Sequence, residues 1–147
     1  MLSRIDGSIR LATYRHFVQS GVAPSVADIA RVTGESASEV RASWSRLADA
    51  HVLVLDESEA LRMAMPLSAV STGMRVRCGG RAYFANCAWD ALGVPAMLGT
   101  DAAIEADDPL GGTPLRVRVE DGILDRDDLL VHFAVRAAEW WTDIGFT

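Results

Sequence analysis

Residues 74 to 86 read "MRVRCGGRAYFAN", and this stretch constrains the fold more tightly than any other. Two short runs, the first carrying Val76 and the second Tyr83-Phe84, flank a Gly-Gly pair. Two adjacent glycines accept the positive φ angles of a two-residue hairpin turn, so the runs predict paired antiparallel strands. The prediction bears on the two cysteines. Cys78 falls beside the turn and Cys87 at the far end of the return strand. At ~3.3 Å per strand residue they are too far apart to bridge. A disulfide is the ordinary use of a cysteine pair, but a reducing compartment also opposes it. Two free thiols are expected.

The N-terminal half predicts helices. "SIRLATYRHFVQ" (8–19) puts Leu11, Tyr14, Phe17 and Val18 on one face, with Gly21 and Pro24 ending the helix. In "SVADIARVTG" (25–34), Ser25 is the N-cap, Asp28 completes a capping box and Gly34 terminates. "SASEVRASWSRLADA" (36–50) repeats Val40, Trp44 and Leu47 at helical spacing, with Ser36 or Ser38 as cap. "HVLVLD" and "ALRMAM" read as short strands joined by "ESE". Two helices across a tight turn, then a strand pair, is a winged helix-turn-helix pattern over residues 1–65.

A second region, 66–147, starts at Pro66. After the hairpin, "CAWDALGVPAMLG" predicts a short helix interrupted at Gly93-Val94-Pro95. "AAIEAD" reads as a strand and "DPLGGTP" as a turn-rich loop. "LRVRVE" alternates as a half-buried strand, "DDLLVHFAV" reads as another strand, and "AAEWWTDI" as a brief helical turn. The fold class is α+β: a winged helix-turn-helix, then a small mixed or antiparallel sheet bearing helices.

Composition narrows the function classes. The chain has 147 residues, of which 50% are hydrophobic and 23% charged, with a net charge of -6. That charge opposes strong phosphate-backbone binding. The would-be recognition helix offers Arg41 and Arg46 but also Glu39 and Asp49, so nucleic acid has one route in, through the winged helix, and a structural role for that module competes with it. No apolar run reaches the ~20 residues of a membrane span, and the N-terminus lacks an apolar signal core. A cytoplasmic protein with no membrane partner is expected.

The chemistry concentrates in "NCAWD". Cys87 and Asp90 are three apart, on one face if a helix begins near Asn86. A thiol in a first helical turn meets unpaired N–H groups and the positive dipole end, which favour thiolate. Asp90 can exchange a proton beside it or supply a hard oxygen ligand, while the sulfur suits a soft metal. The structural alternative stands beside this: Cys87 as a small buried hydrophobe and Asp90 as a helix-start carboxylate. No zinc spacing appears, and His16, His51 and His132 are scattered. His132 reads as a structural strand histidine. Trp140-Trp141 reads as a core anchor more readily than as a substrate platform. No serine-hydrolase elbow, phosphate loop or dinucleotide fingerprint is present.

"RAYFANCAWDALGVPAMLG" closely resembles the active-site segment of the alkylmercury (organomercurial) lyases. Those enzymes carry an aromatic strand end, Cys-Ala-x-Asp, and an apolar helix with Pro-Ala-x-x-Gly. "VHF" (131–133) resembles their later strand, "AAEWWTDIGFT" the segment after it, and the winged helix their N-terminal module. The resemblance implies protonolysis of a carbon–mercury bond by two thiols and a carboxylate, with Cys87 as first thiol and Asp90 as carboxylate. No cofactor is implied; mercury or another soft metal would bind Cys87 and Asp90 as substrate or product. The family's second cysteine lies just ahead of "VHF", which places it at Asp128, and no cysteine follows residue 87.

Three functions follow. One is a lyase-family enzyme with Cys87, Asp90 and Asp128 as its set, acting on an organomercurial or, repurposed in biosynthetic metabolism, on a related carbon–heteroatom bond of a small molecule. The second is a winged-helix regulator that senses a ligand or metal. The third is a degenerate member that stabilises a partner subunit. A homo-oligomer or partner subunit is a further expectation, since either could supply the missing thiol.

Overall fold

The computed structural model describes residues 2–107 and 112–145. Residues 108–111 of the "DPLGGTP" loop and 146–147 of the closing "GFT" lie outside them. The chain divides into two compact units, Met1–Ser71 and Thr72–Thr147.

The first unit opens with α1 (Arg4–Ser20), α2 (Val26–Thr33) and α3 (Ala37–Asp49). α1 begins four residues before the sequence expectation. Ser3 and Asp6 form a capping box: Ser3 Oγ accepts the Asp6 N–H at 3.1 Å, and the Asp6 carboxylate accepts the Ser3 N–H at 2.7 Å. The buried face is therefore Asp6, Ile9, Thr13 and Phe17, and Leu11 faces solvent, contrary to the expected stripe. The Ser25–Asp28 box and the Gly34 cap on α2 stand as expected, and Ser36, not Ser38, caps α3. The strands are β1 (Val54–Leu55), β2 (Leu61–Ala64) and β3 (Leu67–Ser68), paired antiparallel in that order. β3 follows Pro66, so this unit includes residues 66–71. Phe17, Ile29, Val40, Trp44, Leu47 and Met63 are fully buried in its core. Trp44 Nε1 donates to Thr13 Oγ1 at 3.1 Å, which satisfies the indole where it is buried.

The second unit is an antiparallel sheet with a helix. It contains β4 (Met74–Cys78), β5 (Arg81–Ala85), α4 (Ala88–Leu98), β6 (Ala102–Ala106), β7 (Leu115–Glu120) and β8 (Ile123–Leu124). The strand order is β5-β4-β6-β7-β8. The β4–β5 hairpin is the expected one, with Cys78 opposite Arg81 and with Gly79 and Gly80 at φ of 57° and 77°. One sheet face buries Val76, Cys78, Tyr83, Ala85, Ile104, Val117 and Val119.

Two expectations are corrected here. α4 is not interrupted at Gly93-Val94-Pro95; it runs unbroken to Leu98, where Gly99 in the left-handed region caps it. Ala91, Val94 and Pro95 are buried, and this apolar burial outweighs the hydrogen bond that proline removes. Residues 127–135 form no strand. Ile123–Leu124 already occupies the edge beside β7, and Leu130 is 97% exposed, so the run has no buried face to hold it in a ladder. A 3-10 helix, Ala137–Thr142, follows. Among the described residues no helix is long and apolar enough to cross a membrane.

Candidate active site

β5 ends at Ala85 and α4 begins at Ala88, so Asn86 and Cys87 form the junction between strand and helix. Cys87 is the N-cap, with extended backbone (φ -143°, ψ -179°), rather than a residue of the first turn. Its side chain turns to Asp90: the thiol donates to Asp90 Oδ2, Sγ to oxygen 3.6 Å. Both groups are half-buried. Asn86 Nδ2 donates to the Ile144 carbonyl at 2.8 Å and so ties this junction to the segment after the 3-10 helix. The sequence assigns Asn86 no task, because nothing local marks a side-chain bond that spans 58 residues.

The electrostatics reverse the thiolate expectation. Burial raises the Cys87 thiol above its ordinary value, and the Asp90 charge adds to the rise. The backbone N–H groups of Asp90 and Trp89 favour thiolate but are outweighed. Burial also raises Asp90, against the opposing hydrogen bonds from Cys87. The helix start supplies the favourable dipole, but desolvation of a carboxylate and a thiol together is the larger effect. The pair therefore retains a proton that an exposed thiol and carboxylate would release more readily.

Other expected residues lie apart from this pair. Cys78 is 2% exposed and its sulfur is 2.9 Å from Thr100 Oγ1. It sits opposite Arg81, six residues before Cys87, or ~20 Å along the strand. Both cysteines are free, as the hairpin required. Asp128 is exposed and accepts two hydrogen bonds from Arg126, at 2.7 and 2.6 Å, which hold its carboxyl below the usual value. Its described bonds go to Arg126, not to Cys87 or Asp90. His132 is exposed and lies outside any strand. Trp140 packs on Phe133, ring centroids 4.9 Å apart, and donates to the Val135 carbonyl at 3.1 Å. Trp141 is 37% exposed.

Among the described residues, two concavities include the first helical residues of α4. A groove of about 580 Å³ is lined by Trp89, His132, Phe133 and Trp140 among others. A cavity of about 150 Å³ lies between α4 and the sheet, lined by Ala88, Ala91, Leu92, Ile104 and Leu115 and bordered by Arg126 and Leu130. Trp89 lines the first and Ala88 the second, and both residues lie between Cys87 and Asp90 in sequence. No group of three or more metal-ligating side chains forms among the described residues. The arrangement can move a proton between sulfur and oxygen and present one soft donor beside one hard one.

The family model for alkylmercury lyase (MerB) matches residues 67–147, a span that contains the whole Cys87–Asp90 junction. The chain belongs to the alkylmercury lyase family. The fold of this alkylmercury lyase family member is also similar to the crystal structure of the mercury-bound form of MerB2, with 25% identity and a TM-score of 0.66. That likeness covers 85% of this chain and 60% of the other, so the chain spans about three fifths of the length of the solved relative. No curated protein matches it.

Proposed function

We propose that this family member is a lyase that cleaves a carbon–mercury bond, or a related carbon–heteroatom bond, with Cys87 as soft nucleophile and Asp90 as proton carrier. The carrying observation is the thiol-to-carboxylate hydrogen bond at 3.6 Å between two half-buried groups, both shifted toward their protonated forms. A raised carboxyl is a better base for the thiol proton and holds it for the next step.

The steps follow from that geometry. As the Cys87 sulfur bonds mercury and displaces the anion that accompanied it, the thiol proton passes to Asp90. The Asp90 carboxyl then gives this proton to the carbon as the carbon–mercury bond breaks, and the hydrocarbon leaves. Mercury remains on the Cys87 sulfur and the freed carboxylate until outside thiols remove it and return a proton to Cys87. Sulfur preference requires a second soft donor for tight retention. Cys78 is too distant to serve, so this donor comes from a small thiol or from another subunit. Asp128 keeps its place in the set as the position where the resemblance puts the second sulfur. A member repurposed for another substrate would use the same pair on a different leaving group.

The first unit supports a winged-helix reading: α2 and α3 meet across a turn, and β1 and β2 follow. A structural role for it is favoured over duplex reading, because Arg46 on α3 is engaged by Asp6 and Glu39, each at 2.7 Å. We place the protein in the cytoplasm, the compartment that keeps both cysteines reduced.

Phenylmercury protonolysis with excess thiol tests the reading. Benzene release should fall by ~100-fold or more in both Cys87→Ser and Asp90→Asn. Undiminished release by Cys87→Ser would overturn it.

A further inference from the structure

The sheet of the second unit has two unlike faces. One packs under α4. The other presents alternate residues to solvent: Arg75 and Arg77 of β4, Ala103 and Glu105 of β6, and Arg116 and Arg118 of β7. The strand register aligns them in two rows. The first row is Arg75–Glu105–Arg116, a carboxylate between two guanidiniums, with Arg116 Nε 3.2 Å from Glu105 Oε1. The second row is Arg77–Ala103–Arg118. Here a methyl group stands where the first row has a carboxylate. Arg77 and Arg118 form no ion pair among the described residues.

Two strands apart, the backbones of Arg77 and Arg118 are ~9.6 Å from each other. The first row spans the same interval, with one carboxylate at its centre. Arg77, Ala103 and Arg118 also line a shallow depression of about 620 Å³ that reaches the Gly79-Gly80 turn. The charged lining is Arg77, Arg81 and Arg118 against Asp101 and Glu120, one net positive charge in a chain of net charge -6.

We propose that the second row is a binding site for a compact oxyanion, the phosphate or carboxylate group of a small molecule, held between Arg77 and Arg118 over Ala103. Planar guanidinium forks match both groups and bind them bidentately. Asp101 and Glu120 share the depression. The Asp101 carboxylate accepts the Asp121 N–H at 2.9 Å, and Asp101 and Glu120 together supply the negative rim. That rim repels a run of phosphates, and a single anion fits where a nucleic-acid strand does not. Glu120 can accept a hydroxyl or ammonium group of the same ligand. The site lies on the sheet face away from α4 and does not depend on the lyase chemistry.

The test is an amide NMR titration of the full chain with inorganic phosphate, and separately with acetate, at constant ionic strength. Saturable shifts are expected at Arg77, Ala103 and Arg118, with affinity at least ~10-fold weaker in Arg77→Gln and in Arg118→Gln. Ala103→Glu supplies an internal carboxylate and repeats the first row, so it should abolish binding and leave the remaining spectrum intact. Arg75→Gln should bind as the unaltered chain does. Phosphate alone, acetate alone, or both would each sustain the oxyanion site and name the group it takes. Absence of saturable shifts, or shifts that persist in Ala103→Glu, would overturn it. So would a duplex oligonucleotide that displaces phosphate with a steep salt dependence.

Discussion

Replacing Asp6 with alanine should strongly destabilise the first unit. Asp6 is fully buried, yet its carboxylate accepts from Ser3 N at 2.7 Å, Ser43 Oγ at 2.8 Å, and Arg46 Nε and Nη2 at 3.0 and 2.7 Å. Removal leaves the buried Ser43 hydroxyl without this acceptor and deletes the α1 capping box. Breaking a buried, hydrogen-bonded ion pair costs ~3–5 kcal/mol. The Arg46 side chain is 42% exposed, and water replaces part of what it loses, so about 3 kcal/mol is expected. The measurement is urea unfolding followed by tryptophan fluorescence, with Trp44 as the buried reporter in this unit. The sign with pH is also set. The Arg46 guanidinium, the largest cause, holds the folded carboxyl well below its ordinary value. Its stabilisation is therefore present above about pH 4 and declines as pH falls toward the folded value. The gap between the unaltered chain and Asp6→Asn should narrow in acid. A loss under ~1 kcal/mol, or additivity with Arg46→Met in a double-mutant cycle, would refute the argument.

Four further outcomes follow. Alkylation of Cys87 should be slow at neutral pH and should rise with pH along a curve displaced to higher values than for an exposed thiol; fast neutral labelling would contradict the burial argument. Asp90→Asn removes the neighbouring charge, so that alkylation curve should move to lower pH even as protonolysis falls; an unmoved curve would separate the two groups. Asp128→Cys should raise protonolysis at limiting thiol if that position reaches the site, and an unchanged rate would remove residue 128 from the set. Gly34→Ala should cost ~1 kcal/mol, read by the same urea titration, because the α2 cap requires φ of 77°, while the space around it is open.

Local chemistry in the sequence determined the elements whose causes are local. Ser25, Asp28 and Gly34 bound α2 because caps act within one turn, and Gly79-Gly80 specified the hairpin because the turn needs two positive φ angles. From the hairpin followed the separation of the two sulfurs, and "NCAWD" was enough to bring Cys87 and Asp90 together, since three residues is the reach of one helical turn. The start of α1 was equally legible in Ser3 and Asp6, but its weak apolar periodicity concealed the buried polar face.

Only tertiary structure decided the rest. Val94 and Pro95 continue α4 because they are buried, which no propensity expresses. Residues 127–135 read as a further strand, yet a ladder needs a free edge, and β8 occupies the one beside β7. The proton state of Cys87 depends on the balance between helix-end N–H groups and desolvation, and burial is a property of the assembled unit. The two arginine rows exist only through the register of three strands: Arg77, Ala103 and Arg118 are remote in sequence, and pairing across the sheet is what makes them neighbours.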